Sequence, residues 1–170
     1  MLSSLLVVAA ATTAAGSCAV PPQEVEQQAS LAYSTFDSQP PPHGWRHLSA
    51  IGCTDAAVSL LTSYAARNLH GLAAADAMEL SFHIGQVLAL AGRETESIAH
   101  FERSLGPEAS REWRAYVEAT LAFLRRDRAA LQAARADYAS VAPGSMRLRF
   151  IDGLVACPDE PYVRAVHCRR

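Results

Sequence analysis

The chain has 170 residues, 50% of them hydrophobic, 19% charged and 7% aromatic, with a formal net charge of −2. That composition excludes a disordered chain. The 15 basic residues are all arginine and lack the concentrated clustering that phosphate contacts need, which excludes a dedicated nucleic-acid binder. Behind an N-terminal targeting segment about 150 residues remain, enough to bury about two thirds of the chain's surface in one domain and too few for a second.

Residues 1–19 read as a secretory signal peptide. Leu5 to Ala15 is an unbroken apolar or small stretch ending at Gly16-Ser17-Cys18-Ala19. A run of about a dozen residues is too short to span a bilayer, which needs about twenty, and suits a signal core before a small-residue cleavage site. Cleavage after Ala19 would release a soluble periplasmic protein. Cleavage before Cys18, in a degenerate lipobox, would instead make Cys18 the lipid-modified first residue, the one route to a membrane that the sequence offers.

Residues 20–50 read as a Pro-rich linker holding at most one short helix. The Pro21-Pro22 pair and the Gln39-Pro40-Pro41-Pro42 run favour polyproline II and remove backbone donors. From residue 51 to 170 the pattern is helical and no alternating strand is found. Thr54 or Asp55 caps a helix carrying Val58, Leu61, Ala65 and Leu69 and closed by Gly71. The next runs from about Ala74 to Ala91 with Leu80, Ile84, Val87 and Leu88 on one stripe, and Gly92 stops it. A third spans Glu94 to Leu105, presents Ile98 and Phe101 inward, and ends at Gly106-Pro107. A fourth follows Ser110 with Trp113, Tyr116, Val117, Thr120, Leu121 and Leu124. Asp127 caps a fifth with Leu131, Ala134, Tyr138 and Val141, broken by Pro143-Gly144. A sixth covers Met146 to Ala156, and a short seventh lies between Pro161 and Cys168. Helices of this length in consecutive antiparallel pairs predict an all-α fold of stacked helical hairpins.

The segment Ser81 to Ser104 resembles a tetratricopeptide repeat. Ile84-Gly85 matches the Leu-Gly pair of the first repeat helix, Leu88 the large position three residues on, and Gly92 the inter-helix turn; Ser97, Phe101 and Ser104 match the small, aromatic and small positions of the second helix. Ser81 replaces the family's Trp and Ala109 its closing Pro. A weaker copy follows about 34 residues later, with Tyr116, Ala119, Thr120 and Phe123 on the first helix, Asp127 in place of the turn glycine and Pro143 near the closing proline. The resemblance covers Met78 to Pro143. It implies a short right-handed superhelix with capping helices at both ends, and a partner-binding concave face lined by Glu79, Phe82, Gln86, Trp113, Thr120 and Phe123. Phe82 lies off the apolar stripe of its helix, which favours a groove position, while a core position between hairpins competes for Trp113 and Phe123.

Export permits disulfides. Either cleavage mode removes Cys18 from pairing and leaves Cys53, Cys157 and Cys168. A Cys157–Cys168 bridge would pin the last helix, with Cys53–Cys168 and no bridge as the alternatives. His43, His47 and Cys53 bring ligand-type atoms into one segment, but Gly44 after three prolines argues against the helix that would align them, so no metal and no cofactor is expected. His83 and His100 read as polar surface residues. Arg125-Arg126-Asp127-Arg128 reads as a solvated helix corner, and no phosphate loop, nucleophile elbow or zinc-protease helix occurs. The expected function is a non-catalytic interaction scaffold of a Gram-negative cell envelope that binds a protein or peptide partner. The alternative is an envelope enzyme with an unrecognised polar site. It would show a buried polar cluster in a closed pocket where a scaffold shows an open groove.

Overall fold

A computed structural model describes residues 18–168. The apolar stretch Leu5 to Ala15 therefore lies outside the described residues. Among the described residues the chain is all helical: α1 (Pro22–Ala29), α2 (Tyr33–Asp37), α3 (Gly44–Ala50), α4 (Thr54–Asn68), α5 (Ala74–Leu90), α6 (Glu94–Arg103), α7 (Arg111–Leu124), α8 (Arg128–Val141), α9 (Met146–Ala156) and α10 (Tyr162–Ala165), with a single 3-10 turn at Leu69–Gly71. No helix among them is long and apolar enough to cross a membrane.

The later helices start where side-chain caps satisfy free backbone donors. Ser110 accepts from the Trp113 amide, Asp127 from the Ala130 amide and Ser145 from the Arg147 amide. Three helix ends share one turn. Gly52, Gly92 and Arg126 each adopt positive φ, and the following residue's amide donates to a carbonyl five residues back: Cys53 to Leu48, Arg93 to Leu88 and Asp127 to Ala122. The last of these differs from the expected alignment. Arg126, not Asp127, takes the position of the turn glycine, and Asp127 takes that of Arg93 as the cap of the next helix.

Residues 20–50 are folded rather than a linker. Pro22 sits in the first turn of α1, where a missing N–H costs nothing. Helix α3 begins at Gly44, whose φ of +78° turns the chain out of the proline run and into the helix. Tyr33, Phe36 and Trp45 then bury against α4 and α5. Phe36 stacks on Tyr64 with centroids 3.8 Å apart, and the Tyr64 hydroxyl donates to Leu31 O at 2.9 Å.

Helix α5 divides two cores. Its Leu80, Ile84, Val87 and Leu88 join Phe36, Trp45, Leu61 and Tyr64 on one side; its Phe82 and Ala89 join Phe101, Tyr116, Phe123, Tyr138, Ile151, Leu154 and Tyr162 on the other. The closest helix pairs are the α5–α6 and α7–α8 hairpins, while α10 returns to pack on both α9 and α5.

All four cysteines are paired, Cys18 with Cys53 and Cys157 with Cys168. The second pair is the expected one. The first was not expected, since both cleavage modes take Cys18 out of pairing; in the uncut chain it ties the residues before α1 to the start of α4. It also takes Cys53 away from His43 and His47 as a metal ligand.

Candidate functional site

The six expected groove residues lie on the adjacent helices α5 and α7 but do not form one open surface. Phe82 is 3% exposed and lies among Phe101, Trp113 and Tyr116 at centroid distances of 5.1, 5.0 and 5.2 Å. Its position off the apolar stripe has a physical reason: α5 has cores on two sides, so a second apolar face is buried as deeply as the first. Thr120 and Phe123 are also buried, the Thr120 hydroxyl donating back to Tyr116 O. Trp113 is half-buried and its indole N–H donates to Ser104 O at 2.8 Å. Gln86 meets the Tyr162 hydroxyl, and Glu79 faces Asp37 and His83.

The space beside α5 and α7 is filled by the chain's own C-terminal segment. Tyr162 inserts against Phe123, and burial drives its hydroxyl pKa well above the tyrosine range. The Glu94 carboxylate accepts from the Tyr162 amide at 2.6 Å and from Arg126 at 3.0 Å, while Arg126 also donates to Pro158 O and Glu160 O. Gly153 lets the segment approach closely, since a Cβ there would stand 2.6 Å from Ala165 O. The Cys157–Cys168 bridge closes the loop.

An open cleft of about 870 Å³ lies instead between α8, α9 and the residues after α10. Its apolar surface comes from Met146, Phe150, Val155 and Val166. Met146 is 69% exposed, unusual for a large apolar side chain. Arg135 on the rim is held by Asp152 at 2.8 Å. Arg149, also on the rim, has no ion-pair partner among the described residues.

A second polar constellation joins the N-terminal helices to α5. Asp37 closes α2, Arg46 lies on α3, and Glu79 and His83 lie one turn apart on one face of α5. Arg46 donates to Asp37 O at 2.8 Å and to Asp37 Oδ2 at 2.6 Å, and its guanidinium covers the Trp45 ring at 4.2 Å. Asp37 Oδ1 lies 3.0 Å from His83 Nδ1, off the axis of a ring N–H, so the pair is an electrostatic contact and neither atom has a hydrogen-bond partner among the described residues. On the other ring edge, Arg46 reaches His83 Nε2 at 3.4 Å. Burial pushes the Asp37 carboxyl up, but the contacts with His83 and Arg46 outweigh it and hold it below the usual carboxylate range. Burial, helped by the Asp37 and Glu79 charges, raises the Tyr33 hydroxyl far above its ordinary value. His83 Nε2 thus faces a guanidinium rather than open space.

Sequence reasoning placed His83 on the surface and Asp37 in a linker, and so missed this cluster. The four-residue step from Glu79 to His83 was the one available signal. No family model matches the chain, and neither a curated protein nor a solved structure is found to be similar to it.

Proposed function

We propose that the chain is an exported, non-catalytic protein-interaction module of a Gram-negative envelope, of the tetratricopeptide-like type, which takes an extended peptide segment in the cleft between α8 and α9. The observation that carries the reading is the cleft itself: open, with exposed Met146 beside Phe150 and an arginine, Arg149, without a partner. Such a surface suits a peptide with one apolar anchor and a neighbouring carboxylate, since an adaptable methionine floor accepts varied side chains and the free guanidinium selects charge. The repeat assignment is supported by the α5–α6 and α7–α8 hairpins. It is also supported by Gly85, where a Cβ would stand 3.1 Å from the Phe101 ring, as expected at the close approach of the two helices of a repeat. Two disulfides fit an oxidising compartment.

The test is selection of the oxidised protein against a random extended-peptide library. Enrichment of peptides with an acidic residue next to a large apolar one is expected, with reversal toward basic residues in Arg149→Glu. No enrichment, or a preference unchanged by Arg149→Glu, overturns the reading.

A further inference from the structure

We propose that Asp37, Glu79 and His83 form a binding site for a divalent transition-metal cation of the zinc type, tying α2 to α5. One ligand atom from each of the three lies within 4.8 Å of the others. This is the scale on which separate side chains converge on a single ion, and one imidazole nitrogen with two carboxylate oxygens is a donor set that zinc accepts.

Three features distinguish this arrangement from an ordinary acidic patch. His83 is 7% exposed, and its buried Nδ1 and the buried Asp37 Oδ1 lie 3.0 Å apart in electrostatic contact, neither making a hydrogen bond among the described residues. A buried polar atom without a hydrogen bond is costly, the off-axis contact offsets that cost only in part, and a shared cation would satisfy both atoms together. The charges also fail to balance locally. Arg46 occupies Asp37 Oδ2 and leaves Oδ1 free, while Glu79 has no hydrogen bond or ion pair among the described residues. Two carboxylates thus share one guanidinium, and a divalent ion supplies the missing positive charge. Finally, the ligands come from separated elements already fixed by packing: Phe36 beside Asp37 is fully buried, and His83 packs on Trp45 at a centroid distance of 4.8 Å. Little conformational freedom remains to be lost on binding.

The geometry sets a condition. Arg46 is always a donor, so its contact with Nε2 places the ring hydrogen on Nδ1. Ligation through Nδ1 moves that hydrogen to Nε2, and the Arg46 group must then withdraw from the ring edge. Arg46 can do so because its side chain is 45% exposed.

The experiment uses the full oxidised chain, stripped with a chelator and titrated with Zn²⁺ by calorimetry, with Co²⁺ absorption as the spectroscopic check. One ion per chain is expected, together with a rise in the thermal unfolding midpoint and visible Co²⁺ bands of a site containing nitrogen. Glu79→Gln should weaken binding at least tenfold. That variant removes no hydrogen bond and should fold, so it keeps the test decisive if His83→Gln does not. A His43→Gln, His47→Gln double variant should bind as well as the parent. The proposal is overturned by uptake well below one ion per chain, by binding unchanged in Glu79→Gln, or by binding lost in the His43, His47 variant. None of these outcomes depends on the peptide cleft.

Discussion

Replacing Phe82 with alanine separates a core ring from a ligand-binding one. The side chain is 3% exposed and has three aromatic neighbours within 5.2 Å, the Phe101 ring meeting it edge-on at 70°. Truncating a buried phenylalanine costs about 3–5 kcal/mol, and aromatic contacts add about 0.5–1.5 kcal/mol each beyond area, so the expected loss lies near the top, about 4–5 kcal/mol. Against a total stability of about 5–15 kcal/mol this leaves a marginal fold. At about 2–4 °C per kcal/mol for a chain of this size, the thermal midpoint should fall by roughly 8–20 °C. The assay is urea unfolding with disulfides intact, followed by far-ultraviolet circular dichroism and tryptophan fluorescence. Phe82→Leu serves as the volume-conserving control and should lose under about 1.5 kcal/mol. A loss below about 1 kcal/mol in Phe82→Ala would refute the core placement and return the ring to a groove.

Gly153→Ala should loosen the C-terminal segment, because the new methyl meets Ala165 O at 2.6 Å and backbone cannot yield as a side chain would. A cost of about 1–3 kcal/mol is expected, read as faster proteolysis after Arg164; unchanged resistance refutes the close approach. Serine at both cysteines of one bridge should lower stability by roughly 3 kcal/mol for the Cys157–Cys168 pair and roughly 4 kcal/mol for Cys18–Cys53, following sequence separations of 11 and 35. Equal losses would speak against the loop-entropy account. Burial, with help from Arg103 and some opposition from Glu96, holds the His100 imidazole below the histidine range. The folded state therefore prefers the neutral ring, so this contribution is complete above about pH 6.5 and is lost as the pH falls from there through the lower folded-state value. His100→Gln should flatten the dependence of the urea midpoint between pH 7 and 5, and an unaltered slope would exclude the residue as its source.

Much of the fold was legible from α4 onward because its punctuation is local. Ser110 and Asp127 cap the helices expected to begin there, and Gly92 closes α5 in a left-handed turn. The N-terminal helices were not legible, since consecutive prolines read as extended chain and nothing local reveals that Phe36 will be buried by α4; the packing of Trp45 on the first hairpin was the exception. The groove residues failed for a related reason. Periodicity identifies one apolar face, and Phe82 belongs to a second that exists because α7 and α8 arrive on the far side of α5. Thr120 and Phe123 are enclosed in the same way. The α8–α9 cleft and the Asp37–His83 contact depend on long-range assembly, and only the Glu79–His83 step was written in the sequence.

The placement of the two bridges bears on how the molecule comes apart. In a row of helical hairpins the terminal units have a neighbour on one side alone, so melting starts there and moves inward. Both bridges sit at these weak points, joining Cys18 to the start of α4 and Cys168, three residues past α10, to Cys157 at the end of α9. Because α10 also leans on α5, with Glu94 at the start of α6 holding the Tyr162 amide, the last unit cannot peel away without disturbing the middle of the row. Fraying that would be gradual in an open array becomes a single concerted event while the bridges last, and reduction would restore end-first unravelling, leaving the two central hairpins as the last to dissolve.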